Sequence, residues 1–513
     1  MNALVLALAL LAPQAPPPAR LPSPPSPAAR DANAPAPTRA DLARSYLRFE
    51  GFWKRFPPPP ERLAEAQRAF DQATVTFFLG NTSAALRTID GLALDLLPPE
   101  MRAPAQQFGL RARFDPPVGR WVKDANGAPP RKLVVRVRLE TLYRIEGEED
   151  RARRVRVDVT SPGEMNKTVA TWERTDWVPG TSFEHELVLN APVPFGYDVS
   201  VRLDGQEKIA SRVGAWPVLQ RSLDDARRAN EAELDALAQR TGTEDLPLVA
   251  ALAACRSRNA LLVDTPNESS SAQFLARPED LAFAVEAELA ALKDGRDPYR
   301  RRAGDLWRTV RAGKNGLPVR VFAPPAACSD AKVPLVIALH GAGGDENMFF
   351  EGYGAGAIVE LAKAKGFLVA APLVGFGGLS GDAFDALVTE LVYDYAIDPE
   401  RVYVVGHSMG AGAACALAAS RRERLAAVAC FAGGSAPKDR KMAPTRIWAG
   451  ELDPLAKPDG LVRLAANAAQ DGAPIECEVV AGYGHTLVVG AKLDAAIEWL
   501  LAHRLEPTRD APK

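Results

Sequence analysis

Two glycine-flanked segments hold residue types that could together carry acyl transfer. In Gly406-His407-Ser408-Met409-Gly410 a serine has a glycine two positions away on each side, directly after the apolar run Arg401–Val405. A serine hydroxyl is a weak nucleophile until a base takes its proton. A sharp strand-to-helix turn exposes it, and such a turn closes only over small neighbours. His340-Gly341-Ala342-Gly343-Gly344 ends another apolar run 68 residues before Ser408. Glycines there let backbone N–H groups approach a carbonyl oxygen as it gains charge. With the Met409 amide they predict an oxyanion hole whose second donor is Ala342. His340 is expected to brace this loop, because the base should come later in the chain.

Two further segments supply that base and an acid. Asp453 follows Trp448-Ala449-Gly450-Glu451-Leu452, and His485 ends Gly482-Tyr483-Gly484-His485. The order Ser408, Asp453, His485, each just past the C-terminal end of a strand, is that of the α/β-hydrolases. His485 would take the serine proton and return it to the leaving group. Asp453 would fix the imidazole tautomer and stabilise its cation. Glu451 competes for the acid role because it lies nearer the strand end, and Asp459 ranks below both. Of the other histidines, His407 is expected to shape the pocket, His185 to pack within a strand, and His503 to be solvated in the last helix. The chain has no HExxH, no P-loop and no Rossmann glycine pattern, so neither metal nor cofactor is expected.

These residues need strands and turns to hold them, and the chain from Asp297-Pro298 onward alternates strand and helix. Strands read at Leu317–Phe322, Leu335–Leu339, Phe367–Ala371, Val402–Val405, Ala426–Cys430, Arg446–Ala449 and Ile475–Val480. Helices read at Ala355–Lys365, Asp382–Tyr395 and Leu461–Gln470. Runs such as VPLVIAL are apolar at nearly every position, as a parallel sheet covered on both faces requires. The prediction is a catalytic α/β-hydrolase domain over 298–507, a mostly parallel sheet with helices on both faces.

Upstream the period changes twice. Residues 40–104 read as a small helical unit broken by the run Pro57 to Pro60. Residues 105–218 alternate apolar and charged, as in Val135–Leu139, Val155–Val159, Phe183–Leu189 and Val199–Leu203. Half-buried strands do this, and about 100 residues of them predict an immunoglobulin-like β-sandwich. Trp172, Trp177 and Trp216 there could be core residues or a polysaccharide-docking face. Residues 219–297 return to helix as a connector.

Composition bounds the rest. At about 150 residues per domain, 513 residues predict three or four domains. A net charge of −2 provides no global field for nucleic acid. Ten of the 43 prolines fall within the first 37 residues. Residues 16–39 therefore read as a Pro/Ala-rich linker. Before it, Leu4–Ala12 is an apolar run too short to span a bilayer, and residues 1–15 are expected to be a cleaved signal peptide. No later stretch reaches spanning length without charges. Cys255, Cys328, Cys415, Cys430 and Cys477 form no CxxC pair, and Cys415 and Cys430 read as small buried hydrophobes.

The stretch Tyr393-Asp394-Tyr395-Ala396-Ile397-Asp398-Pro399-Glu400-Arg401-Val402-Tyr403-Val404-Val405-Gly406-His407-Ser408-Met409-Gly410 adds a resemblance. Together with the segments above, it resembles the secreted poly(3-hydroxybutyrate) depolymerase and feruloyl esterase-like branch of the α/β-hydrolases. It is also similar to bacterial peptidases of the prolyl-oligopeptidase-like group. Ala411 departs from the pattern, since many relatives have a second glycine there. The resemblance covers the C-terminal 210 or so residues and implies acyl-enzyme hydrolysis without a cofactor, at Ser408, Asp453 and His485. The expectation is a secreted or periplasmic serine esterase acting on a small or polymeric ester. A serine peptidase and a binding protein with a vestigial hydrolase domain are the alternatives, and the oligomeric state stays open.

Overall fold

The computed structural model describes residues 36–505 except 146–150, 162–166, 180, 182, 191, 193–195, 206–207, 243–244, 265–276, 313–315 and 438–440. The expected signal peptide and all but the last residues of the expected linker lie outside the described residues. These described residues form one compact unit.

Three helices come first: α1 (Arg39–Arg55), α2 (Pro60–Phe78) and α3 (Thr82–Asp95). Thr38 and Asp41 cap α1 reciprocally, and the last proline of the run that follows it, Pro60, is the first residue of α2. Proline is tolerated there because the first helical N–H groups lack partners anyway. Phe49 of α1 stacks on Phe70 of α2 with centroids 4.9 Å apart.

An antiparallel-rich region follows, comprising β1 (Leu110–Asp115), β2 (Gly119–Arg120), β3 (Lys132–Thr141), β4 (Arg153–Ser161), β5 (Lys167–Trp177), β6 (Phe183–Asn190), β7 (Tyr197–Leu203), β8 (Ser211–Trp216) and β9 (Val218–Leu219). One sheet runs β1-β3-β6 and the other β5-β4-β7-β8, while β2 pairs with β9. The alternating residues Val135, Val137, Val155, Val157, Val199 and Val201 come from both main sheets and share one buried core. Trp177 and Trp216 lie in that core, while Trp172 packs against it. His185 stacks on Trp172 at 4.5 Å.

Helices α4 (Leu223–Arg240), α5 (Leu246–Asn259) and α6 (Pro278–Lys293) lead into the C-terminal sheet. Its strands are β10 (Gly304–Val310), β11 (Leu317–Ala323), β12 (Val333–Leu339), β13 (Leu368–Pro372), β14 (Ile397–His407), β15 (Ala427–Phe431), β16 (Thr445–Gly450) and β17 (Ile475–Val480). The spatial order is β10-β11-β13-β12-β14-β15-β16-β17. The six strands from β12 to β17 run parallel, and β10 and β11 add an antiparallel edge. Every residue of β12, β13 and β15 is buried. That follows from α7 (Ala357–Lys365), α8 (Gly381–Asp394), α9 (Met409–Ser420), α10 (Pro458–Gln470) and α11 (Val488–Leu501) covering the sheet. Sequence reading missed β10, and β14 begins four residues before Arg401. Among the described residues, no helix is long and apolar enough to cross a membrane.

The first three helices and the C-terminal region share a core. Tyr46, Phe49 and Phe70 are buried with Leu487, and Tyr483 and Met348 pack against them. Glu50 of α1 is buried at this contact. Tyr46 donates to it at 2.7 Å, and the Gly354 and Ala355 amides also bond to it. Burial nonetheless pushes its carboxyl up to about 7. A folded pKa above the unfolded value means that Glu50 favours the fold fully below about pH 4.3. That contribution is lost as pH rises through 7. Glu50→Gln should therefore flatten the fall in melting temperature between pH 5 and 8. An unchanged slope in thermal unfolding would show that this carboxyl does not carry it.

Candidate active site

The β14–α9 turn places Ser408 at φ +53° and ψ −114°, a conformation that few residues with a side chain adopt. Close backbone approaches hold it there. A Cβ on Gly406 would collide with the Gly410 carbonyl, and one on Gly410 would collide with the Leu339 carbonyl at the end of β12. Ser408 N–H donates to the Phe431 carbonyl at 2.8 Å. The turn therefore wedges between β12 and β15, with the hydroxyl on its outer side and half-buried.

His485 and Asp453 meet that hydroxyl from loops after β17 and β16. Ser408 Oγ stands 2.9 Å from His485 Nε2, and His485 Nδ1 stands 2.8 Å from Asp453 Oδ2. Nδ1–H donates to the carboxylate, which leaves Nε2 free to accept from the serine. Asp453 is buried, and its other oxygen accepts from the Leu455 and Ala456 amides at 2.8 Å each. Glu451 instead faces solvent and accepts from Gly482 N–H at 2.7 Å. Asp459 lies in the first turn of α10. The structure thus brings Asp453, not Glu451 or Asp459, to the imidazole.

The loop after β12 lies against the same serine. A Cβ on Gly341 would stand 3.4 Å from Ser408 Cβ and 2.7 Å from His407 Nδ1. Gly343 turns at φ +76°, and Gly344 N–H closes the loop onto the Gly341 carbonyl at 3.1 Å. Ala342 is half-buried in this loop, and Met409 opens α9. The helix dipole adds positive potential beside the hydroxyl, which suits a developing oxyanion. His340 is buried, with Nδ1 donating to the Gly341 carbonyl at 2.8 Å and Nε2 accepting from Val374 N–H at 3.1 Å. Both ring nitrogens are engaged in bracing the loop, and burial lowers its pKa.

Two features escaped the sequence. His407, expected to shape the pocket, is buried beneath the turn. It accepts from Tyr353 Oη at 2.7 Å and donates to the His485 carbonyl at 3.0 Å. Tyr353 Oη in turn accepts from Gly341 N–H at 3.4 Å. Burial depresses the His407 pKa well below its usual value, so it spans the three loops as a neutral ring. The second feature is α2, which lies on the histidine loop. Gln67 Oε1 accepts from Gly484 N–H at 2.9 Å, and the Asp71 carboxylate accepts from His485 N–H at 3.0 and 3.1 Å. At the end of α2, Phe77 packs against Gly343, where a Cβ would meet its ring at 2.8 Å. No local pattern marks either partner.

Of the remaining expectations, His503 lies past the end of α11 rather than in it. It is half-buried, with Nδ1 donating to the Trp499 carbonyl at 2.8 Å. Cys415 and Cys430 are buried with sulfurs 3.5 Å apart, and no cysteine is in a disulfide. Among the described residues no group of three His, Cys, Asp or Glu side chains could hold a metal ion. If Asp453 orients His485, Asp453→Asn should lower kcat by about 10⁴ while Glu451→Gln leaves it near wild type. Steady-state kinetics on an activated ester would reveal the reverse ranking if Glu451 held that role.

Residues 379–494 match the dienelactone hydrolase family. The chain is similar to an S-formylglutathione hydrolase from Agrobacterium tumefaciens, at 18% identity over 40% of this chain and 97% of that one, with a TM-score of 0.32. A ferulic acid esterase matches at 16% identity over 40% of this chain and 99% of its own, with a TM-score of 0.33. A thermostable esterase matches at 16% identity over 72% of this chain and 95% of its own, with a TM-score of 0.35. Sheet order and family match agree: the C-terminal region is an α/β-hydrolase of the carboxylic ester hydrolase class.

Proposed function

We propose that the protein hydrolyses carboxylic esters through an acyl-enzyme at Ser408. The observation that carries this is the hydrogen-bonded line from Ser408 Oγ through His485 to Asp453. Ser408 Oγ attacks the acyl carbon as its proton passes to His485 Nε2. The oxyanion forms against the N–H groups of Met409 and Ala342, in the loop shaped by Gly341, Gly343 and Gly344. The intermediate collapses as His485 returns the proton to the departing alkoxide. Water, deprotonated by the same imidazole, then attacks the acyl-serine and releases the acid. Asp453 keeps its negative charge throughout and balances the imidazolium.

The remaining assignments concern the rest of the chain. The run Leu4–Ala12 supports an exported enzyme, and the strand order β1-β3-β6 against β5-β4-β7-β8 supports an immunoglobulin-like sandwich over 105–218. The helical unit, connector and catalytic domain are assigned to 40–104, 219–297 and 298–507. The substrate is a small or polymeric ester, and the feruloyl-ester and hydroxybutyrate classes come first. A panel of p-nitrophenyl acetate, a feruloyl sugar, hydroxybutyrate oligomers and peptides tests this on the full chain. Esters should turn over and peptides should not. Ser408→Ala should lower kcat by at least about 10⁴. Activity retained in Ser408→Ala, or confined to peptides, would overturn the reading.

A further inference from the structure

The catalytic region is not self-sufficient at its histidine. His485 N–H points away from its own strand and ends on Asp71, 414 residues earlier in the chain. Asp71 is buried, as is Gln67 one helical turn before it, which holds the neighbouring Gly484 amide. The fit is close: a Cβ on Gly484 would overlap the Asp71 carboxylate. Among the described residues nothing accepts from Gln67 Nε2, which is also buried. A buried donor without a partner is unfavourable, so Gln67 is held here for its acceptor oxygen.

We propose that Asp71, with Gln67 beside it, is a positioning residue of the ester hydrolase: from the N-terminal helices it fixes the His485 loop and adds a second negative charge behind the imidazole. This rests on the assignment of His485 as base and Ser408 as nucleophile. The charge matters because an imidazolium forms in each half-reaction, and Asp453 is not its only counter-charge. The charged groups that face Asp71 are His485, which favours its ionised form, and Asp453, which opposes it. Desolvation outweighs the bonds from the His485 and Thr486 amides and pushes Asp71 up to about 6. It is therefore ionised at pH 8 and loses its charge as the pH falls through about 6. While ionised, Asp71 stands as a second negative charge beside the His485 loop.

The test is kcat and KM on p-nitrophenyl acetate from pH 5 to 9, with labelling of Ser408 by a fluorophosphonate. Full-length wild type, Asp71→Asn, Asp71→Ala and Ser408→Ala are compared. Asp71→Asn keeps the shape and one acceptor oxygen but not the charge. It should lower kcat at pH 8 about tenfold with KM little changed, and labelling should slow in parallel. The acid limb of kcat/KM should move to lower pH, because the imidazolium has lost a counter-charge. Asp71→Ala should lose more of kcat. A purely structural role would change the melting temperature or the titratable fraction of active enzyme without moving the acid limb. An Asp71→Asn enzyme with wild-type kcat and acid limb overturns the proposal. So does failure of both variants to fold by circular dichroism, since a group that only holds a loop can be removed from a folded chain. Ser408→Ala separates the two readings. If it stays active, the nucleophile assignment fails; if it is inactive while Asp71→Asn matches wild type, only the role of Asp71 fails.

Discussion

Everything at the site depends on one turn of backbone, the left-handed residue between β14 and α9. Ser408 pays for an uncommon conformation with contacts that only α-carbons without a Cβ permit: Gly406 on the Gly410 carbonyl, and Gly410 on the end of β12. Such conformations persist where the surroundings over-determine them. Here the surroundings are two fully buried strands, β12 and β15, flanking the strand that feeds the turn. The central sheet is therefore more than a scaffold. Its rigidity keeps the hydroxyl facing outward, where a histidine can reach it.

Around that turn runs a layer of neutral polar contacts. Gly341, Tyr353, His407 and the His485 carbonyl are joined in series, so the loop after β12, the turn and the histidine loop share one set of hydrogen bonds. Inside a protein such chains strengthen their members and penalise any that is left unpaired. A buried, uncharged His407 suits this place better than a charged ring, because it accepts at one nitrogen and donates at the other. It also keeps a second cation away from the His485 imidazolium.

Much of this was legible in the chain, and what was not has identifiable causes. Ser408, Asp453 and His485 could be read because each sits in a local pattern and strand succession supplies their order. β10 was hidden because Arg308 occupies an inward position, where it pairs with Glu390 and Asp394 and breaks the apolar alternation. β5 was hidden for the opposite reason: as the outer strand of its sheet it is exposed at most positions and has little to alternate. Tyr353 and Asp71 left no trace because their partners lie 54 and 414 residues away. Neither composition nor period encodes a contact made only by the assembled fold.

The length of that last connection bears on how the molecule is made. At roughly 5–20 residues per second, synthesis of the 414 residues from Asp71 to His485 takes about 20–80 s. During that time α2 has emerged while the loop it will hold does not yet exist. Contacts so distant along the chain close late, because loop entropy opposes them until the intervening parts have folded. The histidine loop is thus among the last parts to be secured, and a nascent chain with its β-strands already paired still lacks a finished base. Maturation of the site waits on the emergence of the His485 loop instead of accompanying the folding of α2.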